Sequence, residues 1–230
     1  MSYKNVIAFG DSFTRGDELA DCPEHTNNFA HSTHTWPAIL SQLRNCKYYC
    51  YALGGVGNQY IGWQIANRLR LDSLFIVNWT YFERFDYVDI DSDQWATVHP
   101  RHDNKMNHYF YKHIDSEVWN TYRNLLHMHS AISLLKQNNI DFYMTCIDSK
   151  YSMHVDNMLN FPNLKWNDAI IKLHEQVQPH IITFEELNFV DWSAYNGFAV
   201  GSHGHPLEKA HLAAAKYINM VTTEGRANGH

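Results

Sequence analysis

Short runs of unbroken apolar residues alternate along the chain with stretches in which apolar positions recur every three or four residues, and this alternation predicts repeated β–α units. The first run, Asn5-Val6-Ile7-Ala8-Phe9, stops abruptly at Gly10-Asp11-Ser12 and reads as a central strand feeding a loop. After a polar loop rich in Asp, Asn and His, Trp36-Pro37-Ala38-Ile39-Leu40 opens a helix, with Pro near the helix start, where its missing N–H is no loss. Lys47 to Ala52 reads as a second strand and runs directly into Gly54-Gly55-Val56-Gly57-Asn58. Ile61, Ile65 and Leu69 share one helical face, and Leu74-Phe75-Ile76-Val77 has the continuous apolar character of a strand buried on both sides.

Regularity fails between about 83 and 115, where Asp, His, Asn, Tyr and Trp crowd together, and this stretch reads as an irregular insertion or lid. Trp119, Tyr122, Leu125, Ile132 and Leu135 restore a long amphipathic helix that ends at Asn138-Asn139, and Phe142 to Ile147 supplies a fourth strand. A second irregular stretch reaches Trp166. A helix from about Asn167 to Val177, a weak apolar segment near Ile181-Ile182 and a helix after Pro206 follow. Repeated β–α units of this kind imply a parallel sheet with helices on both faces, a three-layer α/β/α sandwich. No repeat, low-complexity segment or linker divides the 230 residues, so the chain reads as a single domain.

Composition narrows the function classes. With 45% hydrophobic residues, 18% charged residues, 11 Gly and 6 Pro, the chain belongs with packed globular proteins. A formal charge of -6 and the lack of a Lys/Arg strip argue against nucleic acid as a partner. No apolar run approaches the roughly eighteen residues of a membrane span, and the start lacks the pattern of a secretory signal, so a cytoplasmic protein is expected. Cys22, Cys46, Cys50 and Cys146 form no paired zinc-type spacing and read as small buried hydrophobes. Sixteen histidines include the pairs His31/His34, His99/His102 and His203/His205, but none follows a recognised ligand pattern, so neither a metal nor another cofactor is expected. Seven Trp, fourteen Tyr and twelve Phe exceed a minimal core; they either pack the insertion or line a site for a flat-faced ligand such as a sugar.

Ligands of parallel α/β sheets sit at the carboxyl ends of the strands, which directs attention to the loops after Phe9, Ala52, Val77 and Ile147. Ser12 sits where a strand end presents a hydroxyl to solvent, with Asp11 beside it and Gly10 permitting a tight turn, although Gly-Asp-Ser alone is also an ordinary turn. Gly57, followed by Asn58, can bring a backbone N–H to the same point. His205, immediately before Pro206, stands at the head of the last helix, where a neutral imidazole can take a proton. Glu83 and Arg84 after the third strand form an ion pair at the site, or bind an anionic substrate through the guanidinium fork, or are a solvated surface pair.

Phe9-Gly10-Asp11-Ser12-Phe13, a Gly-Asn after the second strand and His205-Pro206 near the end together resemble the SGNH (GDSL) hydrolases across nearly the whole chain. The resemblance implies a flavodoxin-like sheet, Ser12 as nucleophile and oxyanion donor, Gly57 as a second donor and His205 as general base. Two positions depart from the family pattern. Asn78-Trp79-Thr80-Tyr81-Phe82-Glu83-Arg84 replaces the usual Gly-x-Asn-Asp, leaving Asn78, Thr80 or Tyr81 as the third donor. Ser202 and His203 stand where the family places an Asp before the histidine, so either a backbone carbonyl or a distant acid such as Asp191 is left to orient the ring.

Two functions follow as expectations. The first is a serine esterase acting on a small-molecule or glycan ester, with O-acetyl groups on a glycan as the leading substrate. The second is an inactive SGNH-fold protein that binds glycans or serves in assembly. The Trp79-Thr80-x-x-x-Arg84 run also resembles SGNH-like proteins of tailed phages, which suits either function. The sequence sets no oligomeric state.

Overall fold

The structure, a computed structural model, describes residues 3–22, 30–149 and 166–227. Its main sheet has four parallel strands, β1 (Asn5–Phe9), β2 (Lys47–Cys50), β3 (Ser73–Trp79) and β6 (Asp141–Cys146), in the order β2-β1-β3-β6. Ile181 extends the far edge by a parallel bridge to Met144. The sheet is thus the expected three-layer parallel type.

Every residue of β1 and β3 is buried, which accounts for their lack of polar alternation. Their side chains divide between two cores according to the strand period of two. Ile7, Phe9, Phe75, Val77 and Trp79 face α3 (Asn58–Ala66), α5 (Glu117–Gln137) and α6 (Asn167–Val177), through residues such as Ile61, Met128 and Ile170. Val6, Leu74 and Ile76 face α2 (Trp36–Leu43), α7 (Phe189–Tyr195) and α8 (Glu208–Ala227), through Trp36, Phe189 and Ala214. Each large side chain so buried contributes roughly 1.5–3 kcal/mol by removal of apolar surface from water.

The segment 83–115 corrects the expectation of irregularity. It forms an antiparallel hairpin of β4 (Phe85–Asp89) and β5 (Gln94–Val98), followed by α4 (Lys105–His113). Asp86, only 1% exposed, fastens the hairpin to the start of α3 by accepting hydrogen bonds from Gly57 N–H (2.7 Å), Tyr60 N–H (2.9 Å) and Thr97 Oγ1 (2.7 Å). The helix after the second strand is also shorter than the apolar spacing suggests: it stops at Ala66, and Leu69 lies beyond it, exposed. The irregular stretch expected before Trp166 falls mostly at 150–165, outside the described residues.

Candidate active site

All the chemistry of interest lies at the carboxyl ends of the parallel strands. After β1 the chain makes one short helical turn, α1 (Ser12–Arg15). Asp11 caps it, its Oδ1 accepting from Phe13 N–H at 3.1 Å, and its carbonyl accepts from the N–H groups of Thr14 and Arg15. Ser12 occupies the first helical position, where a backbone N–H has no intrahelical partner. Gly16, at φ 88°, ends the turn in the left-handed region, and Glu18 adopts φ 69°, which is uncommon for a residue with a side chain.

His205 arrives from the other end of the chain. The preceding loop folds on itself through Gly201 N–H to His205 carbonyl (2.9 Å) and Gly204 N–H to Gly201 carbonyl (3.1 Å), with Gly204 at φ 87°. The imidazole packs against the Phe13 ring, centroids 4.6 Å apart. Its Nε2 lies 2.8 Å from Ser12 Oγ and its Nδ1 lies 2.7 Å from Glu18 Oε2. Ser12, His205 and Glu18 therefore form one continuous hydrogen-bonded line.

Glu18 is also gripped by the loop that delivers the histidine. Its carboxylate accepts from Ser202 Oγ (2.8 Å), His203 N–H (3.0 Å) and His205 N–H (3.4 Å). Burial would raise its pKa, but hydrogen bonds from Ser202 and His205, then from the backbone of His203 and His205, bring it down from 4.5 to about 2. Ser202 and His203 thus sit at the site as supports for the carboxylate, with the His203 ring largely in solvent. The distant Asp191 considered as the orienting acid instead receives a hydrogen bond from Asn188, the N-cap of α7 (2.5 Å), and the ring faces Glu18.

Behind Ser12 lies a buried polar cluster. Asp11 Oδ2 accepts from Thr80 Oγ1 (2.6 Å) and from Arg84 Nη1 (2.9 Å), and Arg84 Nη1 also donates to the Val56 carbonyl (2.9 Å). With Arg84 6% and Asp11 0% exposed, this is an internal ion pair, which corrects both readings of Arg84 as a surface residue or an anion fork. Asn58, 1% exposed, ties the same loops together by donating to the Thr80 carbonyl (3.0 Å) and Asn124 Oδ1 (2.8 Å) and accepting from Thr80 N–H (2.8 Å).

Of the expected oxyanion donors other than Ser12, Gly57 has its N–H engaged, and Asn78 is fully buried with its Nδ2 making no hydrogen bond. Gly57 directs its N–H to Asp86 at 2.7 Å. Asn78 is fully buried within β3, and its Oδ1 accepts from Thr145 Oγ1 at 2.7 Å across the β3–β6 pair. Gly54 is the glycine beside the nucleophile: a Cβ on it would stand 3.8 Å from Ser12 Cβ and 3.1 Å from Asp17 Oδ2. Neither Gly54 nor Glu18 stands out in the sequence pattern. Gly54 is visible there only as the first glycine of its run, whereas Glu18 carries no signal beyond being an acid shortly after Gly16.

Among the described residues no group of three or more His, Cys, Asp or Glu is placed to hold a metal ion, and no helix is long and apolar enough to cross a membrane. The four cysteines carry no disulfide. The segment 83–115 bounds a cavity of about 390 Å³, lined by Pro100, His102, Asn107, His108, Tyr111 and Lys112.

No protein-family description matches the chain, and no curated protein matches it. Among solved structures it is similar to the acetyl xylan esterase Est2A of the rumen bacterium Butyrivibrio proteoclasticus, at 14% identity and a TM-score of 0.51, covering 99% of this chain and 65% of that one. It is also similar to the psychrotrophic esterase EstA from Pseudoalteromonas sp., at 8% identity and a TM-score of 0.50, covering 97% and 99%. A lipolytic protein of the G-D-S-L family from Veillonella parvula DSM 2008 aligns at 15% identity over 95% and 98%, with a TM-score of 0.47. The chain has the fold of the SGNH/GDSL hydrolases.

Proposed function

We propose that the protein hydrolyses carboxylic esters, with Ser12 as nucleophile and His205 as general base. The observation that carries this reading is the 2.8 Å separation of Ser12 Oγ and His205 Nε2, two groups supplied from opposite ends of the chain. Ser12 Oγ adds to the ester carbonyl carbon as its proton passes to His205 Nε2. The oxygen that gains charge is held by the N–H of Ser12, unclaimed by its helix, and by the backbone at Gly54. Collapse breaks the bond to the alkoxy oxygen, which leaves as the alcohol with the proton from His205. Water, deprotonated by the same ring, then releases the acid and restores Ser12.

A glycan carrying small acyl groups is the substrate class we favour. The segment 83–115 lines an open pocket of about 390 Å³ with Tyr111, two histidines and polar neighbours, the type of surface that takes sugar rings and hydroxyls, although its lining includes neither Ser12 nor His205. The structural neighbour Est2A, an acetyl xylan esterase, supports the same choice. The engagement of Gly57 N–H and the burial of Asn78 favour a second reading, a binding protein that holds glycans without turning them over.

The test is hydrolysis of p-nitrophenyl acetate and of acetylated xylan and other acetylated sugars by the wild type and Ser12→Ala, with thermal unfolding recorded for both. Turnover lost in a folded Ser12→Ala supports the esterase. No turnover by the wild type, or turnover indifferent to Ser12, moves the assignment to the binding protein.

A further inference from the structure

The geometry points to Glu18 as the residue that orients His205, a duty that the segment immediately before the histidine, Ser202-His203, does not perform. This inference rests on the proposed serine chemistry and names the positioning residue within it. Four observations converge on Glu18.

First, its Oε2 lies 2.7 Å from His205 Nδ1, on the opposite side of the ring from the Ser12 hydroxyl. A carboxylate there requires the proton on Nδ1 and leaves the Nε2 lone pair for the serine, which is the tautomer a general base must adopt. Second, its side chain is 8% exposed, so water does not compete for the ring nitrogen. Third, Glu18 holds a left-handed backbone at φ 69°, a conformation that persists in a non-glycine residue only when the surroundings over-determine it. The hydrogen bonds from Ser202, His203 and His205 do so. Fourth, the histidine loop is shaped around this carboxylate: a Cβ on Gly201 would fall 2.5 Å from Glu18 Oε1 and 2.6 Å from Oε2, so a side chain there would push the carboxylate out of its place. One carboxylate thus both orients the ring and latches the loop that carries it.

Position 202 borders the same space, since Ser202 Oγ lies 2.8 Å from Glu18 Oε1. If Glu18 is cut back to alanine, an aspartate at 202 can put a carboxylate into the vacated volume. The role is therefore transferable.

The experiment compares the wild type with Glu18→Gln, Glu18→Ala, and Glu18→Ala combined with Ser202→Asp. Glu18→Gln keeps an acceptor for the backbone N–H groups and guards against a fold that fails without the latch. The readouts are kcat and KM on p-nitrophenyl acetate and the ¹⁵N shifts of the His205 ring. We expect kcat to fall about 10²–10⁴-fold in both single Glu18 variants, KM to change little, and the double variant to regain at least about tenfold over Glu18→Ala. The ring spectrum should report a proton on Nδ1 in the wild type and a mixture of tautomers in Glu18→Ala. Wild-type kcat in Glu18→Gln, or an unchanged tautomer in Glu18→Ala, would overturn the assignment. Absence of recovery in the double variant would overturn its transferability. If Ser12→Ala abolishes hydrolysis while the Glu18 variants retain it, this inference fails and the serine mechanism stands. If Ser12→Ala retains hydrolysis, the serine mechanism fails, and the tautomer measurement still decides whether Glu18 orients the ring.

Discussion

Arg84 Nη1 lies 2.9 Å from Asp11 Oδ2 in a pair whose side chains are 7% and 0% exposed, directly behind the proposed nucleophile. Buried pairs of this sort add little net stability over an apolar substitute, but loss of one partner leaves the other charge without compensation. Arg84→Met should therefore destabilise the protein by about 3–5 kcal/mol. Asp11→Asn combined with Arg84→Met should lose clearly less than the two single changes added together. Urea unfolding of the three variants measures this, and additive losses would show that the pair is not coupled.

Two glycines of the same loop should fail in different ways. A methyl group at Gly57 would lie 2.8 Å from Asp86 Oδ2, inside the clamp between the hairpin and α3. Gly57→Ala should lower stability by about 1–3 kcal/mol, as overpacking does, while the folded fraction keeps most of its kcat. A methyl group at Gly54 would instead stand 3.8 Å from Ser12 Cβ, where the acyl oxygen must approach. Gly54→Ala keeps the N–H but presses a methyl against Asp17 Oδ2 at 3.1 Å, and should cut kcat/KM by up to about 10²-fold, the scale of one oxyanion donor moved out of line, with a smaller change in Tm. Kinetics and melting curves on both variants separate the roles, and a reversed pattern would return the oxyanion role to Gly57.

His211 makes stability depend on pH. Its Nδ1 accepts from Trp36 N–H at 3.1 Å at the start of α2. Burial chiefly, aided by the charge of His205 and opposed by a hydrogen bond involving Pro206, lowers its pKa from 6.5 to about 3. Between these values the unfolded chain binds a proton that the folded chain refuses. The contribution is thus complete above about pH 6.5 and is lost progressively as pH falls toward about 3. His211→Gln, which can still accept from Trp36, should flatten the fall of unfolding free energy between pH 6 and pH 4 by up to about 1.4 kcal/mol per pH unit. Parallel slopes for the two proteins would show that His211 is free to protonate in place.

Much of this architecture is legible in the chain because it depends on unbroken apolar runs. Asn5–Phe9 and Leu74–Val77 are buried on both faces, so successive positions must be apolar whichever way they point and the strands show as unbroken runs. The hairpin Phe85–Asp89 with Gln94–Val98 escapes a reading of that kind because Asp86, Asp89, Gln94 and Thr97 interrupt its apolar residues, and Asp86 points inward only because Gly57 and Tyr60 offer it N–H groups. Arg84 escapes it for the same reason: its burial is fixed by Asp11, 73 positions away. Ser12 is legible from its place at a strand end and His205 from the His205-Pro206 step before the last helix, although that helix begins only at Glu208 and Pro206 instead bridges Val200. Glu18 is not, because its role comes from a left-handed turn and from a loop 187 positions distant. Local patterns report which groups a segment must bury, whereas partnerships across the fold have to be seen.

The order of these groups along the chain governs when chemistry can begin. Ser12 and Glu18 leave the ribosome early, whereas His205 is 193 positions behind Ser12 and is carried at the head of α8, which packs against α2. A nascent chain that has already formed β1, β2 and β3 still holds a serine hydroxyl of ordinary reactivity, since nothing has yet arrived to take its proton. On the proposed mechanism, synthesis carries its own safety catch: esters nearby meet an inert surface until α8 closes onto the sheet.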